Sequence, residues 1–321
     1  MCSACKGRLA PAAGGFACRA CPRIFPVDGG VADFSGGRYY DNFPGPEVLT
    51  PANLAGLANE KEGARIQDYY GPLFENIAAR TGRARGAFRV LDSGCGNGDA
   101  VGALVDAGFD ARGHDLSALR KWQWREKPFR ERLVVADGRE LPFEDGQFHA
   151  VVASGVLEHI GVEEQGGETY RVRPLPDRDA ARRTYVAELV RVLAAGGSVF
   201  LDCPNGAFPI DFWHGIDPGG ARFHSLREGF LPKVAEIRAL ARSIDSDLVV
   251  EPRSPEGRLR FRQVGAHWYG RLFRSPIVAL QRWMSTRAFR FLAASPLNPY
   301  LVVEVRKPGG RNDGAGKSLA V

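Results

Sequence analysis

The stretch LDSGCGNGD, Leu91 to Asp99, sets three glycines at alternate positions between the apolar run FRVL and the helix-like DAVGALVDAG. Glycine loses more backbone freedom on folding than any other residue. Such a cluster after a strand therefore marks a backbone that turns sharply and that something approaches closely. The chain that follows fixes the fold class. DARGHDLS reads as a second strand ending at Asp115, RLVVADGREL as a third, FHAVVASGVLEHI as a fourth and SVFLDCPN as a fifth. The helix-like AARRTYVAELVRVLAAGG, closed by glycine, precedes the fifth. This alternation predicts an α/β fold with a Rossmann-like, doubly wound, mostly parallel sheet, whose ligands bind at the carboxyl ends of the strands.

A dinucleotide fingerprint needs G-x-G-x-x-G, but the position of its last glycine holds Asp99. The pattern D-x-G-x-G-x-G from Asp92 to Gly98 instead resembles the first motif of the class I S-adenosylmethionine-dependent methyltransferases of type 11/12. The resemblance extends over residues 88–205, through Asp115, ADG at 136–138, ASGVLEHI at 153–160 and LAAGG at 193–197. It implies S-adenosyl-L-methionine as cofactor. Asp92 would accept from the cationic amine, while Gly94, Cys95, Gly96 and Gly98 give the backbone access to the methionine part. Asp115 would grip the ribose hydroxyls beside Leu116, and Asp137 the adenine amino group, with Gly138 leaving room for the ring. Ser154 would lie at the end of the fourth strand. For the Cys95 side chain, packing is expected rather than thiol chemistry. Family members usually carry Asp where this chain has His149, and that change reads as structural.

Four of the six cysteines crowd the first 21 residues: Cys2, Cys5, Cys18 and Cys21, two C-x2-C knuckles. Facing knuckles complete a thiolate tetrahedron, so residues 1–33 are expected to be a ribbon around one structural Zn2+. The pattern resembles small zinc ribbons, including those of tRNA-methyltransferase activator proteins. Little chain precedes Cys2, and a loose ribbon end is expected. The formal charge of +6 falls to about +4 once four thiolates surround one Zn2+, which is mild for a nucleic-acid binder. No apolar run reaches the ~18 residues of a membrane span, and the N-terminus lacks the build of a secretory signal. The cytoplasm is the expected compartment, with the inner membrane surface as the alternative.

Residues 34–87 read as a Gly/Pro-rich linker followed by a helix with Ile66, Tyr70, Phe74 and Ile77 on one face. Residues 88–308 form the main domain, 206–298 are expected to be a substrate-facing insertion before the closing strand PYLVVEVRKP, and 309–321 a disordered tail.

Methyl transfer to a hydroxyl gains from a nearby base, and histidine titrates in the useful range. His159 in LEHI and His214 in CPNGAFPIDFWHG are the candidate catalytic residues, with His224 behind them; the alternative for each is a packed or loop histidine. The PNGAFPID stretch resembles methyltransferases of small-molecule, quinone and glycan modification. The expected acceptor is thus a small sugar- or lipid-linked hydroxyl compound. Between Arg253 and Arg290 nine arginines stand against one acid, Glu256, with aromatics interleaved. That segment reads as an amphipathic cap, an anion or membrane contact, or an RNA-binding surface. RNA methylation with the ribbon docking RNA is the enzymatic rival, and a non-catalytic cofactor-binding partner the other. The N/D-P-P-Y/F motif of many nitrogen methylators is replaced by ASGVLEHI.

Overall fold

The computed structural model describes residues 1–41, 43–50, 63–165, 170–214, 221–258 and 268–309. Four short strands open it: β1 (Leu9–Ala12), β2 (Gly15–Cys18), β3 (Ile24–Asp28) and β4 (Val31–Asp33). Helix α1 (Gly63–Arg80) then precedes β5 (Arg89–Ser93), α2 (Asp99–Asp106), β6 (Asp110–Asp115), α3 (Ala118–Trp124), β7 (Leu133–Val135) and β8 (Phe148–Ser154). A hairpin follows, β9 (Val162–Gln165) with β10 (Arg171–Pro174), then α4 (Arg178–Val192) and β11 (Leu193–Pro204). The last third holds the small pair β12 (Ile210–Asp211) and β13 (Arg222–Phe223), α5 (Val234–Ile244), β14 (Val249–Arg253), α6 (Trp268–Met284) and β15 (Tyr300–Arg306).

Eleven strands form one sheet in the order β1-β2-β3-β4-β7-β6-β5-β8-β11-β15-β14. The central strands from β7 to β11 pair in parallel, while β15 runs antiparallel to both of its neighbours. A parallel strand covered on both faces must be apolar on both faces. In β8 every residue before Ser154 is buried. Val151 and Ala153 join Leu91 in one core layer, whereas Ala150 and Val152 join Val90 in the other. The aromatic face of α1 closes the second layer, with Tyr70 and Phe74 buried against Phe88, Phe109 and Phe200. His149 sits at the amino end of β8 and accepts a hydrogen bond from the Arg89 amide at 2.9 Å, so the exchanged residue is structural.

Two sequence expectations change here. Residues 206–298 are not wholly an insertion, because α5 packs on α4 and β14 forms the sheet's outer edge against β15. The ribbon's end is tied down: the Met1 amine donates to Pro142 O at 2.9 Å, and Lys6 donates to Leu141 O at 3.0 Å and to Glu188 at 2.8 Å. The ribbon's last strand also joins the main sheet, with Ala32 and Asp33 paired in parallel to Val134 and Val135. The proposed tail from 310 onward lies outside the described residues.

Candidate functional site

The carboxyl ends of β5, β6, β7, β8 and β11 meet on one side of the sheet, as the strand pairings require. After β5 the backbone turns through Gly94, Gly96 and Gly98, with φ of 75°, 53° and 81°. These left-handed conformations suit glycine. The three glycines differ in what a side chain would meet. A Cβ on Gly94 would lie 2.4 Å from Val156 Cγ2, and one on Gly98 would lie 2.9 Å from Leu133 Cδ1. A Cβ on Gly96 would meet nothing within 4 Å among the described residues. Gly96 thus lines open space, a cradle that a side chain would fill.

Asp92 lies beneath this loop, 2% exposed. Burial pushes its pKa to about 7, the Asp202 charge adds to this, and Arg258 opposes it. Asp115, at the end of β6, accepts from the Gly96 amide at 3.0 Å and the Leu116 amide at 2.8 Å. These bonds orient its carboxylate and leave further lone pairs on both oxygens. Burial raises its pKa to about 6 against those two hydrogen bonds. Buried acids next to an open glycine cradle suit a ligand that brings a cation at one end and hydroxyls at the other. The Cys95 side chain is buried and would touch a Cβ on Gly113 at 2.7 Å, so it packs against β6.

Three further residues expected at the cofactor have partners within the chain. Asp137 is held by Arg139, with Nη2 at 2.7 Å and Nε at 3.0 Å. Burial disfavours its charge, yet those bonds keep its pKa below the ordinary value. The room beside Gly138 is taken by Tyr185, whose Cε2 would be 2.5 Å from an added Cβ. Tyr185, Ser93 and His114 form a hydrogen-bonded row under the loop, at 2.8 Å for each step. Ser154 donates to Asp202 Oδ1 at 2.7 Å.

That bond belongs to a cluster that the sequence did not reveal. Asp202, on β11, receives Arg258 Nε at 2.9 Å, the Tyr300 hydroxyl at 2.5 Å and the Tyr70 hydroxyl. All four residues are buried. Arg258 thus brings a guanidinium from the last third of the chain down to the ends of β8 and β11, next to Asp92.

The chain leaving β8 runs from the glycine loop, where Val156 fills the space beside Gly94, to Glu158 and His159. Here the structure brings the two candidate catalytic histidines together. The His159 and His214 rings lie 5.2 Å apart, edge to face. His159 Nδ1 is 2.6 Å from Glu164, and His214 Nδ1 is 2.9 Å from Asp211. Tyr170 and Phe230 line the rings, and the Arg222 guanidinium lies over both aromatics. Glu158 is buried below, its Oε2 without a hydrogen-bond partner among the described residues. His224 is apart from this group, bonded through Nε2 to Phe208 O at 2.7 Å, a packed loop histidine.

At the other end, the four cysteine sulfurs lie within 4.8 Å of one another, with Cys5 at 3.5 Å from both Cys18 and Cys21. A tetrahedron built on ~2.3 Å Zn–S bonds has edges of about 3.8 Å, so the donor set fits zinc. The knuckle turns through Lys6 at φ 56°.

Residues 91–201 match the family model described as "Methyltransferase domain". Among curated proteins the chain is 28% identical over 183 residues to the mitochondrial 2-methoxy-6-polyprenyl-1,4-benzoquinol methylase of Leishmania donovani, covering 53% of this chain and 56% of that one. It is 26% identical over 199 residues to the eEF1A lysine and N-terminal methyltransferase of Bos taurus, covering 60% of this chain and 26% of that one. The chain therefore spans about half, or less, of the length of these relatives. Among solved structures, the complex between the Haloferax volcanii Trm112 methyltransferase activator and a methyltransferase matches at 18% identity and TM-score 0.44, over 79% of this chain and 96% of that one. Residues 91–201 thus carry a methyltransferase domain, and the glycine loop and the two buried acids sit at the carboxyl edge of its sheet, as a class I S-adenosylmethionine-dependent domain requires.

Proposed function

We propose that the chain methylates a hydroxyl of a small acceptor, a sugar- or lipid-linked biosynthetic intermediate. One observation carries this reading: His159 and His214 face each other beside the cofactor end of the sheet, each tied through Nδ1 to a carboxylate. With Nδ1 so engaged, Nε2 is the nitrogen of each ring that would meet the oxygen or proton of an acceptor. S-adenosylmethionine supplies the methyl carbon for in-line displacement at its sulfonium. The chain's part is alignment and exclusion of water. Asp92 holds the cationic amine, Asp115 the ribose, and the Gly96 cradle admits the thioether arm. Tyr170, Phe230 and Arg222 wall the acceptor side. The benzoquinol methylase relative is compatible with a small acceptor. The four cysteines hold a structural Zn2+ that fixes the ribbon on the edge of the sheet.

The test is transfer of labelled methyl from S-adenosylmethionine into host extract separated into RNA, protein, lipid and polar small molecules. Label in the lipid or polar fraction, lost in His214→Ala while cofactor affinity holds, supports the reading. Label in nuclease-sensitive material overturns it in favour of RNA, with the ribbon as the docking element. Label in protein overturns it in favour of the chemistry for which the bovine relative is named.

A further inference from the structure

Glu158, His159 and His214 each offer a ligand atom within 4.8 Å of the other two. Three independent features make this more than a cluster of polar residues. Both imidazoles use Nδ1 toward a carboxylate, Glu164 at 2.6 Å and Asp211 at 2.9 Å, which fixes each ring; in the tautomer with the proton on Nδ1, Nε2 is the nitrogen open to a metal. This carboxylate–histidine arrangement is the outer shell that orients metal-ligating histidines. Glu158 is 1% exposed, and its Oε2 has no hydrogen-bond partner among the described residues. A buried carboxylate oxygen so placed is costly unless a cation or donor meets it. The His159 side chain keeps 36% of its surface exposed, so the group opens on one side.

We propose that Glu158, His159 and His214 hold a divalent transition metal whose open positions receive the acceptor hydroxyl. Two imidazoles and one carboxylate suit a first-row ion such as Zn2+, Fe2+ or Co2+ better than Mg2+, which prefers oxygen ligands. The site itself stands on the three side chains; its role in the reaction rests on the hydroxyl acceptor proposed above. In that role the ion lowers the pKa of the bound hydroxyl, whose proton leaves to water through the open side. The alkoxide pair then forms the new C–O bond, and the electron pair of the broken C–S bond stays on sulfur, discharging the sulfonium. The imidazoles act as ligands and need not accept the proton.

Metal uptake by the full chain tests the site without reading methyl transfer, so its failure and that of the acceptor assignment are separable. The chain is first loaded with one equivalent of Zn2+ to fill the cysteine ribbon, then titrated with Co2+ under calorimetry and visible spectroscopy. A second equivalent should bind with the weak bands of nitrogen and oxygen ligation, without the intense charge-transfer bands of thiolates. Asp211→Asn should weaken it about ten- to hundredfold through loss of the outer shell, and His214→Ala and Glu158→Gln should abolish it. His159→Ala, at the open side, serves if His214→Ala fails to fold. No second equivalent, thiolate-type spectra alone, or unchanged binding in the ligand variants would overturn the site.

Discussion

Arg258 Nε lies 2.9 Å from Asp202 Oδ2, and both side chains are buried at the ends of β8 and β11. The pair joins the last third of the chain to the centre of the sheet. It is strongly electrostatic: burial opposes the Arg258 charge, but Asp202 drives its pKa up all the same. Removing one partner of such a pair leaves an uncompensated buried charge and costs about 3–5 kcal/mol. Arg258→Leu should therefore lower the melting temperature by many degrees. Adding Asp202→Asn should recover part of the loss, since the orphaned charge is then gone. A single variant that melts with the wild type would show that the pair contributes nothing to the fold.

The two buried acids beside the glycine loop predict the pH dependence of cofactor binding. Asp92 titrates at about 7 and Asp115 at about 6, above the ~3.9 of an unfolded aspartate. The folded chain thus holds more protons than the unfolded one between those values, and these groups contribute less stability as pH rises through them. In the proposed assignment binding runs the other way, because the amine and ribose hydroxyls would need ionised acceptors. The dissociation constant for S-adenosylmethionine should improve about tenfold or more from pH 5 to pH 8. Asp92→Asn should flatten the upper part of that profile and raise the melting temperature of the cofactor-free chain at about pH 8. A flat binding profile for the wild type would remove both acids from the cofactor site.

Much of this was legible in the sequence where the signal is local. The loop from Asp92 to Gly98 announced a strand, a turn and a helix because glycine alone serves three left-handed positions there. The cysteine knuckles likewise announced their own proximity. What escaped depends on pairing between distant segments. Val249 and Val250 are too short a run, with Pro252 soon after, to read as a sheet edge, yet they pair with β15. Val31 to Asp33 close the expected ribbon, and nothing local marks them as the strand that fuses it to β7. The Asp202 cluster draws Tyr70, Arg258 and Tyr300 from three separate regions, so no spacing rule could have found it. At Gly138 the lack of a side chain makes room for Tyr185, a partner 47 positions away that no local pattern announces.

The ribbon's fusion to the sheet predicts that the Zn2+ proposed for its cysteines matters well beyond the ribbon. Asp33 pairs with Lys121 at 2.7 Å and Asp28 with Arg125 at 2.5 Å, both on or just after α3. Lys6 reaches Glu188 on α4. A segment this small depends on its metal for folding, and unfolding it would expose the outer edge of β7. Chelation of Zn2+, or Cys18→Ser, should lower the melting temperature and weaken cofactor binding, although no cysteine of the ribbon lies in the cofactor cradle. Cys203→Ser, a buried thiol outside the ribbon, is the control that should retain zinc. Metal content by elemental analysis with parallel melting curves reads the outcome; a zinc-free chain that melts normally would make the ribbon a passive appendage.

Two glycines separate binding from packing. Alanine at Gly96 adds a methyl group to open space at φ 53°, so its cost in stability is the left-handed penalty of about 1–2 kcal/mol. That methyl group stands in the cradle, and cofactor affinity should fall more than about tenfold for loss of close backbone approach. Alanine at Gly138 presses on Tyr185 Cε2 at 2.5 Å. Overpacking of this kind costs about 1–3 kcal/mol, and the displaced ring disturbs the Tyr185–Ser93–His114 row. Gly138→Ala should therefore melt lower than Gly96→Ala while keeping more of its affinity. Calorimetric titration with S-adenosylmethionine alongside thermal unfolding gives both quantities for both variants. Equal affinities in Gly96→Ala and the wild type would mean that the cofactor does not pass over Gly96, and the cradle would have to be sought elsewhere along the strand ends.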